Sequence, residues 1–329
     1  MATPIILDVD TGVDDALALL FAARHPGLDL RAVTCVAGNA AVDQVVTNTL
    51  TVLHAAGAAD VPVARGADRP LLEPVRPARH VHGEDGLGDL HWPGPPTRPD
   101  PRDAVDLLRD EILASERPIT LVTLAPLTNI ALLLRTHARV AAGIERIVFM
   151  GGAAIRGNAT AAAEFNVWHD PEAAAIVLDA AAGIPMTMYG LDVFYGPVMS
   201  GEQATLLAAS DDPGARLAGQ LLQFSLARYR TDTATIGDAG AVCAVADPSG
   251  LRTERLPVRV ELAGTWTRGQ TVVDQRTWTA DLDHDAQRAG AQSAVPALVD
   301  VALGVDGPRY AELWRSAVAG GSSSQSQSA

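Results

Sequence analysis

The chain has 329 residues, 48% of them apolar, enough for one large α/β domain or two small ones around a sizeable core. Its net charge of −14 argues against nucleic acid or an anionic membrane surface as a partner. All 25 basic residues are arginine, which removes Schiff-base chemistry and the lysine of a phosphate-binding P-loop.

The first residues hold no basic region followed by an apolar core, and no apolar run reaches the ~18 residues of a membrane span. The two cysteines, Cys35 and Cys243, have no metal-binding spacing and read as buried thiols in a reducing compartment. A cytoplasmic protein is the expectation.

Residues 4–10 read as a first strand and 14–24 as a first helix, with acidic residues where they suit the helix dipole. Residues 30–36 form a second strand ending at Gly38-Asn39, 42–56 a helix and 61–64 a short strand. This alternation predicts parallel strands joined by right-handed crossovers. Residues 65–102 break the rhythm with Pro, Gly, three histidines and Trp92. A segment of that length is a functional lid or disordered.

Residues 104–115 are then read as a helix, 119–123 as a strand, 128–135 as a helix and 146–150 as a strand. A polar loop covers 158–170, and a helix over 171–181 has Pro171 in its first turn. A strand at 186–191 precedes a mostly helical stretch over 202–229, broken near Pro213-Gly214, and a short helix at 239–246. Residues 258–262, 271–273 and 278–282 read as strands of a late hairpin layer, and 295–303 as a closing helix. The expected fold is an open, mostly parallel, Rossmann-like sheet flanked by helices, with that small hairpin layer, in one domain over 1–318. A Gly/Ser/Gln-rich tail, 319–329, is expected to be disordered.

The chemistry concentrates in Asp8-Val9-Asp10-Thr11-Gly12-Val13-Asp14-Asp15. Four carboxylates at the mouth of a buried strand repel one another unless a cation or protons neutralise them. An all-oxygen donor set suits a hard ion such as Ca²⁺ or Mg²⁺. A solvated turn would need fewer acids. An EF-hand loop fails, because its twelfth position is Leu19 and its sixth is Val13.

Asp8-x-Asp10 after an apolar strand resembles the haloacid-dehalogenase-like phosphatases, whose first Asp is a nucleophile. That family uses a downstream Lys, absent here. A fuller match is to the inosine-uridine preferring nucleoside hydrolases, with the signature Asp-x-Asp-x-Gly-x-Asp-Asp. Asp8, Asp10, Gly12, Asp14 and Asp15 fill every fixed position. Gly38-Asn39, Leu124 to Ala131, Met150-Gly151-Gly152, the Asn158…Glu164-Phe165-Asn166 spacing, Asp170-Pro171 and Thr267 to Asp274 follow in the family's order, so the likeness covers roughly residues 4–305.

The resemblance implies hydrolysis of the N-glycosidic bond of ribonucleosides through an oxocarbenium-like ribose. It implies Ca²⁺ held by Asp10, Asp15, Asp238 and the Leu124 carbonyl, with Asp10 also the general base. Asp14, Asn39, Asn158, Glu164 and Asn166 would bind the ribose hydroxyls, and Met150 and Phe165 would flank the sugar. His82 matches a lid histidine near the base, and Tyr229 and Asp232 lie on a second lid. Family members are commonly dimers or tetramers. One departure stands out: the residue before Asp238 is Gly237, where much of the family has a His linked to leaving-group activation. On this reading a His restored at 237 raises activity on poor leaving groups. The phosphatase, and a nucleoside- or ribose-binding protein without turnover, are the alternatives.

Overall fold

A computed structural model describes residues 1–276 and 297–320. Among the described residues nine strands form one sheet in the order β10-β9-β11-β6-β5-β4-β1-β2-β3. β1 (Thr3–Val9), β2 (Leu28–Cys35), β3 (Val63–Arg65), β4 (Ile119–Thr123), β5 (Ile144–Met150), β6 (Met186–Tyr189) and β11 (Ala297–Val305) run parallel. β9 (Leu251–Val260) lies antiparallel to β11, and β10 (Thr271–Val273) antiparallel to β9, so the late hairpin extends the main sheet. A second, two-stranded sheet pairs β7 (Val198–Ser200) with β8 (Thr233–Thr235).

β1, β4 and β5 carry apolar runs because helices cover both their faces. One face holds α1 (Val13–Arg24), α2 (Val42–Ala56), α10 (Pro213–Tyr229) and α11 (Ala239–Ala246). The other holds α4 (Ala104–Ala114), α5 (Thr128–Thr136) and α7 (Pro171–Asp179). Three short helices, α3 (Arg79–His82), α6 (Phe165–His169) and α8 (Leu191–Phe194), lie in connections, and α9 (Gly201–Ala208) precedes α10. Asp212 caps α10 by accepting from Ala215 N, which explains the break read near Pro213.

Two readings are corrected. The closing helix expected at 295–303 is strand β11 over its described part: the run is Val- and Leu-rich and pairs between β6 and β9. An apolar run of that length fits either state, and here the open side of β6 decides it. The closing helix is α12 (Gly307–Ala319), capped by Asp306 with a Pro in its first turn. It buries Tyr310, Ala311, Trp314 and Val318, and the Trp314 indole donates to the Leu17 carbonyl of α1 at 2.9 Å. The polar loop over 158–170 ends in α6. The strand read at 278–282 and the tail after Gly320 lie outside the described residues.

Strand order reverses direction between β1 and β4, since β1 leads on to β2 and β3 on one side while β4 to β6 continue on the other. In open α/β sheets ligands bind beyond the carboxyl ends of strands at such a switch point. Asp10 follows the end of β1, and Leu124 the end of β4.

Candidate active site

In the turn from β1 into α1, two of the acids, Asp10 and Asp15, have a backbone task. Asp15 Oδ2 accepts from Gly12 N at 2.9 Å, half of a capping box at the start of α1. Its Oδ1 accepts from Asp10 N at 3.3 Å, and Asn39 Nδ2 reaches Oδ2 at 3.2 Å. Asp10 Oδ2 accepts from Asn39 N at 2.7 Å. Gly12 is required by proximity: a Cβ there would lie 2.6 Å from His82 Nδ1 and 2.9 Å from Asn39 Nδ2.

Ligand oxygens of Asp14, Asp15 and Asp238 lie within 4.8 Å of one another. Asp10, expected in that trio, sits beside it, joined through the Asp10 N to Asp15 bond. Burial, then repulsion from Asp15, pushes the Asp10 carboxyl well above the usual range. Asp15 rises to about 7 through burial and Asp14, and Asp238 rises through burial and the charges of Asp14, Asp15 and Asp10. Such a set is costly to keep ionised without a counter-charge. Asp10 Oδ1 and Asp14 Oδ1 are buried with no hydrogen-bond partner among the described residues. These unpaired oxygens and the all-carboxylate donor set fit a hard divalent cation. The Leu124 carbonyl accepts from Asn166 Nδ2 at 2.9 Å and keeps a second lone pair.

Above the acids lies a cavity of about 700 Å³. Its walls include every other residue expected in the site: Asp14, Asn39, His82, Leu124, Met150 and Asn158, then Glu164, Phe165, Asn166, Tyr229 and Asp238. Asp232 is exposed and outside the lining. Glu164 caps α6, accepting from Asn166 N, Gly152 N and Val167 N, while burial pushes its carboxyl to about 7. Asn158 Oδ1 accepts from Phe165 N at 2.9 Å, so the Asn-x5-Glu-x-Asn spacing folds into one hydrogen-bonded bend. Asn166 spends its amide on Leu124 O, Met150 O and the Met150 sulfur.

His82 is buried on α3, in the long lid segment. Ala78 N donates to Asn39 O, Leu71 N to Asp170, and Asn48 Nδ2 to Asp85 O, tying that segment down over the site. Val13 N donates to His82 Nδ1 at 3.1 Å, and Asp14 Oδ1 lies 3.8 Å from the same nitrogen. Burial lowers the imidazole's pKa, outweighing Asp14.

Gly237 has a left-handed backbone, φ 55°, and a Cβ there would lie 2.7 Å from Asp14 Cβ and 2.9 Å from Phe194 Cζ. Restoring a His at this position is therefore a strained substitution. Much of the remaining lining escaped sequence reading, Arg76, Trp168, Phe194 and Tyr195 among it. Phe194-Tyr195 follows the carboxyl end of β6, and that position was the available signal.

A sequence model of the family described as inosine-uridine preferring nucleoside hydrolase matches residues 5–312. A pyrimidine-specific ribonucleoside hydrolase RihA of Shewanella sp. (strain ANA-3) is 41% identical over 317 residues, covering 94% of this chain and 99% of that protein. A non-specific ribonucleoside hydrolase RihC of Klebsiella pneumoniae is 41% identical over 278 residues, covering 83% and 89%. Among solved structures, a plant nucleoside hydrolase, PpNRh1, superposes with a TM-score of 0.86 at 29% identity, covering 97% of this chain and 99% of that one.

Proposed function

The chain belongs to the inosine-uridine preferring nucleoside hydrolases and is an enzyme of that kind, and from that premise we propose how it works. The metal is Ca²⁺, held by Asp10, Asp15, Asp238 and the Leu124 carbonyl, with Asp14 close enough to join or replace Asp10 in that set. A bound ion of this kind orients a water and makes it more acidic. The observation that carries the reading is the carboxylate trio at the switch point, two of its members buried and Asp14 partly so, beside a cavity lined by amides and carboxylates.

Asp10 is the general base. Asn39 N–H fixes its Oδ2, which leaves Oδ1 to take a proton from water. Asp14, Asn39, Asn158, Glu164 and Asn166 hold the ribose hydroxyls, Met150 and Phe165 flank the ring, and Tyr229 stands at the rim. Groups matched to each hydroxyl reject deoxy sugars, because a missing hydroxyl strands a buried partner. With Nδ1 accepting from Val13, His82 carries its hydrogen on Nε2 and offers a hydrogen bond to the departing base.

Two buried, unpaired cysteines suit a cytoplasmic setting, and a homodimer or homotetramer is the expected assembly. No helix among the described residues is long and apolar enough to cross a membrane. None of the reported matches favours a phosphatase or a binding protein without turnover. Uridine, inosine and cytidine incubated with the purified protein should each be scored for free base and reducing sugar. Equimolar base and ribose from at least one, with a generic aryl phosphate untouched, is the expected result. Phosphate release without ribose, or nucleoside binding without cleavage, would overturn the proposal.

A further inference from the structure

The amides and carboxylates assigned to the sugar line one side of the cavity. The other side comes from α8, β7, the end of α10 and β8, which present Phe194, Tyr195, Val198 and Tyr229. Phe194 and Tyr195 meet edge to face, ring centroids 5.0 Å apart. Among the described residues these elements bring no imidazole, amine or guanidinium into the cavity. Beside Asp238, the left-handed Gly237 backbone makes any side chain strained, and the Phe194 ring edge would lie 2.9 Å from its Cβ.

Carboxyls outnumber guanidiniums on the walls among the described residues. Asp14, Glu164 and Asp238 face the cavity. Arg76, its one guanidinium among the described residues, is paired with Glu73 at 2.6 Å and lies over Trp168 at 4.5 Å. His80 is exposed at the rim. His82 spends Nδ1 on Val13 N–H, so its remaining N–H belongs to a neutral imidazole, a hydrogen-bond donor but a weak acid.

A neutral base leaving ribose takes an electron pair and needs a proton. A base that is already a cation needs none, and aromatic faces beside carboxylates attract cations. We propose that this side of the cavity selects N-ribosides of cationic bases, pyridinium or N-alkylated purinium rings; the inference rests on the hydrolase reading above. In such a substrate the C1′–N bond breaks with its electron pair going to the ring nitrogen, which cancels the positive charge. The water oxygen bonds to C1′, and its proton passes to Asp10. Ribose, a neutral base and one proton result, with no further reactant.

Nicotinamide riboside, uridine and inosine test this on the calcium-loaded protein. The expected kcat/KM for the pyridinium riboside exceeds both others by roughly tenfold, after correction for spontaneous hydrolysis. A binding readout separates selection from bond lability: 1-methylnicotinamide and neutral nicotinamide compete against whichever nucleoside is turned over. The cation should inhibit at roughly tenfold lower concentration, and Phe194→Leu should shrink that advantage. Absence of either preference in the wild-type protein overturns the inference and leaves the hydrolase reading standing. No ribose from any of the three substrates overturns both.

Discussion

The two oxygens of Asp10 differ: one is fixed by Asn39 N–H, and the other is buried and unpaired. Asp10→Asn keeps the shape and removes the proposed base. Turnover should fall by about 10²–10⁴-fold, while thermal melting shows a folded protein. Ribose release at the wild-type rate would remove Asp10 from that role. Gly237 shows the limit of reading residues by type. From sequence its place beside Asp238 reads as a lost imidazole, but φ 55° and the contacts to Asp14 and Phe194 make it a packed backbone position. Gly237→His should cost about 1–3 kcal/mol in chemical denaturation and bring no gain on uridine or inosine. A more active, equally stable variant would contradict that packing.

At the scale of elements, α6 ties the proposed sugar site to the sheet. Glu164 caps it, Asn166 bonds Leu124 O, and His169 closes it. Both ring nitrogens of His169 are buried without a partner among the described residues, and its ring lies 5.3 Å from that of Phe165. Burial, aided by Arg76, lowers its pKa from 6.5 to about 4. The unfolded chain therefore binds this proton first. The stabilisation is complete above pH 6.5 and is lost as pH falls toward 4, by up to about 3 kcal/mol. Urea unfolding across that range should show a shallower pH slope for His169→Gln than for the wild type; identical slopes would clear His169. Elements with a single possible environment were legible in the sequence. β1, α1 and β4 followed from apolar runs and caps. β11 did not, because nothing local to an Ala/Leu/Val run says that β6 has an open side.

The whole molecule places β1 and β4 on either side of a strand-order reversal, which sets Asp10 and Leu124 side by side although 114 positions separate them. The family resemblance carried by the Asp, Asn and Glu motifs named residues that the fold brings to one cavity, because each segment ends a strand or caps a helix there. Phe194 and Tyr195 of the aromatic wall, and Trp168 on α6, stayed hidden, since they are ordinary core residues by type and gain meaning only from the shared cavity. The central claim is that the carboxylates at this switch point work through a hard divalent ion. Ribose release from uridine or inosine should be followed through chelation, dialysis and return of Ca²⁺. The account predicts that turnover vanishes with the metal and returns with it, with no change in secondary structure. Full turnover in the metal-free protein would contradict it.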